Sequence, residues 1–77
     1  MTAARLVGFS GRDLIKKFQK LGYEIVRQTG SHVRLRHCSD DLSFPPITVP
    51  LHKEMGIGLV RNLIREVRIE VDDFIDL

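Results

Sequence analysis

The sequence predicts an α+β domain in the order α-β-β-β-α, a three-stranded antiparallel sheet covered on one face by two helices. Apolar residues recur at helical spacing near both ends of the chain. Between them the pattern alternates with a period of two, broken by Gly-Ser and Pro-Pro turns. The first helix is expected over residues 10–21. Ser10 supplies an N-cap, Asp13 stands at the third helical position, and Leu14, Ile15, Phe18 and Leu21 form the stripe. Gly22 marks its end. Strands follow at 23–29 and 32–37, joined by the two-residue loop Gly30-Ser31, which favours a type I′ or II′ hairpin.

In that hairpin Thr29 should face His32, Arg27 should face Arg34, and Val26 should face Leu35. Val26, Val33 and Leu35 then turn to the core. Arg27, Thr29, His32, Arg34 and Arg36 share the other face. Residues 38–46 read as a loop, with Asp40-Asp41 and Pro45-Pro46 as punctuation. A short third strand over 47–49 stops at Pro50. Leu59, Val60, Leu63, Ile64 and Val67 define a second helix over 58–67, and 72–76 form a terminal helical turn whose Phe74 covers the core. With both helices on one face, the other face is left for a ligand.

The chain has 77 residues, 43% hydrophobic and 29% charged. One domain over 1–77 is expected, since a chain this short buries only about 60–65% of its unfolded surface and builds a single thin core. No apolar run reaches the roughly 20 residues of a membrane span, and the first residues lack the apolar stretch of a secretory signal. One cysteine cannot staple a small fold, which points to the cytoplasm. The formal charge of +2 hides an asymmetry. Residues 1–37 carry eight basic and two acidic side chains, a balance of +6; residues 38–77 carry four and eight, a balance of −4. Such a split suggests one side turned toward a polyanion, although charge runs are often only solvated faces.

His32, between Arg34 and the Gly30-Ser31 tip, is the residue with the richest chemistry. An imidazole titrates near pH ~6.5, so it serves as base and acid at neutral pH. Arginines offer permanently charged, bidentate donors to phosphate oxygens. The residues alone leave a plainer reading open, an exposed histidine filling a strand edge. His52 reads as a second proton carrier or as a loop residue near a helix start, and His37 as structural, because it falls on the opposite side of its strand from His32. Zinc sites need ligand pairs at short spacing, and neither a second Cys nor HxxxH occurs. Cys38 lies near Asp40 and Asp41, which would raise a thiol pKa rather than activate it. Gly56-Ile57-Gly58 lacks the rest of a phosphate loop. No metal or cofactor is expected.

Taken in order, Ser10-Gly11-Arg12-Asp13-Leu14-Ile15-Lys16-Lys17-Phe18, Leu21-Gly22-Tyr23, Gly30-Ser31-His32, Val49-Pro50-Leu51-His52 and Gly58-Leu59-Val60-Arg61-Asn62-Leu63-Ile64-Arg65 resemble the HicA toxin family over roughly residues 9–75. The resemblance implies a fold like the double-stranded RNA-binding domain and ribosome-independent cleavage of mRNA. It places the catalytic histidine in the Gly-Ser-His segment, at His32, and implies a HicB-type antitoxin partner that covers the active site. Leu59 stands where the family commonly has Thr or Ser after the glycine, so a weaker or shifted cap on the second helix is expected.

On this reading the chain is a type II toxin, a metal-independent endoribonuclease. His32 removes the 2′-hydroxyl proton and His52 is the candidate for protonating the leaving oxygen. Arg27, Arg34 and Arg36 meet the phosphate with Gly30 and Ser31 at the tip, and Lys16, Lys17 and Lys20 attract the RNA backbone. The competing readings are a non-catalytic RNA-binding module and a domain that acts mainly by binding an antitoxin.

Overall fold

Ser10 and Asp13 cap the first helix from both directions. The Asp13 amide donates to Ser10 Oγ at 3.1 Å and the Ser10 amide donates to Asp13 Oδ2 at 3.0 Å, satisfying two donors that a helix start otherwise leaves unpaired. These bonds belong to a computed structural model that describes residues 6–39 and 43–77. The helix, α1, spans Gly11–Lys20, with Ser10 and Leu21 as its caps rather than its ends. The Ser10 backbone bond does most to hold the Asp13 carboxyl below its ordinary 3.8, with the Ser10 hydroxyl, Lys16 and Lys17 adding to it. A carboxylate depressed in the folded state stabilises above its unfolded pKa, and that stability is lost as pH falls through the folded value. Asp13→Asn should therefore melt below the wild type at neutral pH. The two melting temperatures should converge in acid as the pH drops below 3.8; a gap that persists there contradicts the cap assignment.

Three strands follow: β1 (Tyr23–Thr29), β2 (His32–His37) and β3 (Ile47–Pro50), antiparallel in the order β1-β2-β3. β3 thus takes in Pro50, which the sequence reading placed just past the strand. As the last residue of an edge strand, Pro50 gives up no ladder bond that a neighbour needs. At the hairpin tip Gly30 has φ +59, and it is the only tip residue at positive φ, the sign pattern of a type II′ turn.

The register corrects one expectation. Thr29 faces His32 and Arg27 faces Arg34, but Ile25, not Val26, faces Leu35, because the ladder slips between Ile25 and Arg27. Val26 is the extra residue of a β-bulge and is 54% exposed. Side-chain packing explains the slip. Unbroken alternation would bury Glu24 and expose Tyr23. The bulge reverses this, so Glu24 faces solvent opposite Arg36, and Tyr23 is buried against Phe18 with its hydroxyl donating to the Pro45 carbonyl at 2.7 Å. Burial, with Glu66 adding, pushes the Tyr23 pKa up to about 12 and keeps it a donor.

The second helix, α2, spans Ile57–Glu66. Its N-cap is Gly56, with no side-chain cap bond and no acid in the first turn, the weak and shifted start that Leu59 leads one to expect. A short α3 (Val71–Ile75) brings Phe74 onto Phe18 and Phe9. Leu14, Ile15 and Phe18 of α1, Val33 and Leu35 of β2, Ile47 and Val49 of β3, and Val60, Leu63 and Ile64 of α2 form one buried cluster. Every strand residue in it points the same way, so both helices lie on one side of the sheet. This α+β arrangement is consistent with the double-stranded RNA-binding-domain fold. The Asp40-Asp41 pair of the predicted loop lies outside the described residues.

Candidate active site on the open sheet face

β2 is the central strand, and its exposed residues alternate with its buried ones: His32, Arg34 and Arg36 outward, Val33 and Leu35 inward. The hairpin and β3 fix where His32 stands. Thr29 faces it from β1 and Pro50 from β3. The tip is tied down beside it, since the Leu51 amide donates to the Ser31 carbonyl and Gln28 Nε2 donates to the Gly30 carbonyl at 3.1 Å. His32 thus projects from a braced turn.

Arg27, Thr29, His32, Arg34 and Thr48 line one shallow hollow of about 250 Å³ on this face. Arg27 and Arg34 are opposite each other across the β1–β2 ladder, and Arg34 Nη1 donates to Thr48 Oγ1 at 3.0 Å across the β2–β3 ladder. Arg36 lies one pleat further along β2, opposite Glu24, and is not part of the hollow. All five lining residues are exposed, and among the described residues no polar or charged residue is buried. An imidazole, two guanidiniums and two hydroxyls therefore converge on an open surface. Such a surface suits a chain-like anion better than an enclosed small molecule.

The other residues singled out in the sequence fall elsewhere. Lys16, Lys17 and Lys20 belong to α1, on the covered side of the sheet. Lys17 is engaged there: its Nζ donates to the Ile75 and Leu77 carbonyls at 2.8 and 3.1 Å and stands over the Phe9 and Phe74 rings. Lys16 reaches the β1 edge, sharing a groove with Arg12, Ile25 and Gln28, so positive charge continues around that edge from the open face. His52 is exposed and does not line the hollow. Its backbone carbonyl accepts from the Gly11 amide at 2.8 Å and ties the exit of β3 to the start of α1.

His37 is a structural pin. Its ring stacks on Phe44 at 4.1 Å and meets Tyr23 edge-on. Nε2 lies 2.9 Å from the Leu21 carbonyl, to which it can only donate, while Nδ1 accepts from the Ser39 amide at 3.2 Å. Cys38 is a free, exposed thiol. Among the described residues no group of three or more His, Cys, Asp or Glu side chains is placed to hold a metal ion.

Thr48 is the site residue the sequence reading passed over. Alternation in Ile47-Thr48-Val49 already points it outward, but only the β2–β3 register sets it opposite Arg34.

The molecule is thus a single-sheet α+β domain whose uncovered face carries a histidine among arginines. A family model described as the HicA toxin of bacterial toxin–antitoxin matches residues 11–69, and the chain belongs to that family. It is accordingly a toxin of a toxin–antitoxin system, and an antitoxin is its counterpart. No curated protein matches the chain. No helix among the described residues is long and apolar enough to cross a membrane.

Proposed function

We propose that the chain is a metal-independent mRNA interferase with His32 as its general base. The observation that carries this reading is the gathering of His32 with Arg27 and Arg34 in one open hollow. His32 takes the proton of a ribose 2′-hydroxyl. The freed oxygen attacks the adjacent phosphorus and the bond to the 5′ oxygen breaks, leaving a 2′,3′-cyclic phosphate on one fragment and a 5′-hydroxyl on the other. Arg27 and Arg34 stabilise the negative charge that grows on the phosphorane, which is usually the larger part of such catalysis. Arg36, Lys16 and Lys20 add backbone attraction that weakens with salt, and Gly30 and Ser31 leave the tip narrow enough for the strand to pass.

The leaving oxygen needs a proton from the other side. We assign that role to His52, two residues beyond Pro50, the cross-strand partner of His32. The substrate is single-stranded mRNA in the cytoplasm, and the restraining partner is a HicB-like antitoxin that covers the open face. Acidic groups on that partner complement the arginines.

Expression of the chain without an antitoxin should arrest growth and shorten cellular mRNA, and co-expression of the antitoxin should restore both. Continued growth with intact mRNA, at a verified level of folded protein, contradicts the proposal.

A further inference from the structure

Arg27 and Arg34 face each other directly across the β1–β2 ladder. Like charges so placed destabilise a sheet. The neighbouring Arg36 shows the contrast, since it has Glu24 opposite. Among the described residues no acidic residue lines the hollow that holds the two arginines. Arg34 is nevertheless held in place, because one of its five donors is taken by Thr48 Oγ1 at 3.0 Å. Arg34 lines the hollow together with Arg27. Two guanidiniums kept together without a counter-charge are arranged for an anion with several oxygens.

We propose that Arg27 and Arg34 form a cradle for one tetrahedral phosphate group of the RNA backbone, that Thr48 is the positioning residue holding Arg34 in it, and that filling the cradle stabilises the fold. This deepens the nuclease reading by naming the phosphate site, and it adds a link between ligand and stability. An anion bound only by the folded chain relieves the repulsion and shifts unfolding by mass action. Thr48 acts through the Arg34 guanidinium that its hydroxyl holds.

The test is thermal unfolding of the whole chain in phosphate and in chloride at equal ionic strength and neutral pH. Alongside it runs binding of a 2′-fluoro RNA tetranucleotide, which lacks the attacking hydroxyl. Phosphate should raise the wild-type midpoint by about 3 °C or more over chloride. Arg27→Gln and Thr48→Val should lose most of that gain, while Thr48→Ser, which keeps the acceptor, and Arg61→Gln, an exposed change on α2, should keep it. In chloride Arg27→Gln should melt about 2 °C above the wild type, because the repulsion is gone. Tetranucleotide affinity should fall about tenfold in Arg27→Gln and Thr48→Val, the size of one charge-assisted hydrogen bond.

Equal phosphate gains in the wild type, Arg27→Gln and Thr48→Val overturn the cradle. Losses confined to inorganic phosphate overturn its assignment to RNA. A chain that cuts RNA but shows no phosphate gain refutes the cradle alone. One that shows the gain but cuts nothing refutes the nuclease reading alone.

Discussion

His32→Ala should leave a folded protein that no longer cuts RNA. His32 is exposed at a hairpin end, and its strand partners Thr29 and Pro50 stay in place without it. A change at such a surface position should alter stability by no more than about 0.5 kcal/mol. Cleavage should fall by about 10²–10⁴-fold, the range over which a positioned general base contributes. Binding of RNA to the arginines should survive, because the positive charge stays. The pairing of unchanged stability with lost cleavage is the informative result, read by melting and by RNA integrity on the same preparation. Cleavage at the wild-type rate would falsify the assignment of His32.

Gly22→Ala should destabilise the fold itself strongly. Gly22 joins α1 to β1 with φ +111, and a Cβ there would stand 2.6 Å from His37 Nε2. The side chain would strain the backbone and displace the ring that donates to Leu21. The positive φ costs about 1–2 kcal/mol for a residue with a Cβ, and the lost hydrogen bond about 1 more. Together these come to about 2–3 kcal/mol, a large fraction of the stability of so small a domain. The urea midpoint should fall accordingly, with fraying that begins where the Cys38 amide donates to the Gly22 carbonyl at 2.9 Å. A midpoint equal to the wild type's would show that the turn relaxes freely.

Local chemistry made most of the architecture legible. Ser10 and Asp13 announce the start of α1 because a cap is a short-range hydrogen-bond problem, solved within four residues. The exposed row His32, Arg34 and Arg36 follows from strict alternation in β2. What the chain does not announce is competition at a distance. Val26 is as good a core residue as any in β1, yet it ends half-exposed because burying Tyr23, with a carbonyl waiting at Pro45, outweighs burying Val26 and a charged Glu24. Ile25 is still 49% exposed, since β1 is an edge strand only partly roofed by α1.

The same holds for the site. His32, Arg27 and Arg34 could be placed on one face from the hairpin alone. Thr48 could not be paired with Arg34 until β3 was docked, and Glu24 could not be set opposite Arg36 before the bulge brings it to the open face. Lys17 reads as a free cation in sequence, but the carbonyls that engage it belong to residues 58 and 60 positions away.

The proposed chemistry is tested most directly by the ends of the RNA fragments that the purified chain makes in the presence of a chelator. In-line attack by a 2′-hydroxyl predicts a 2′,3′-cyclic phosphate and a 5′-hydroxyl, and no cut at a position where that hydroxyl is replaced by hydrogen. Fragments carrying 5′-phosphates, or cleavage at the 2′-deoxy position, would contradict it.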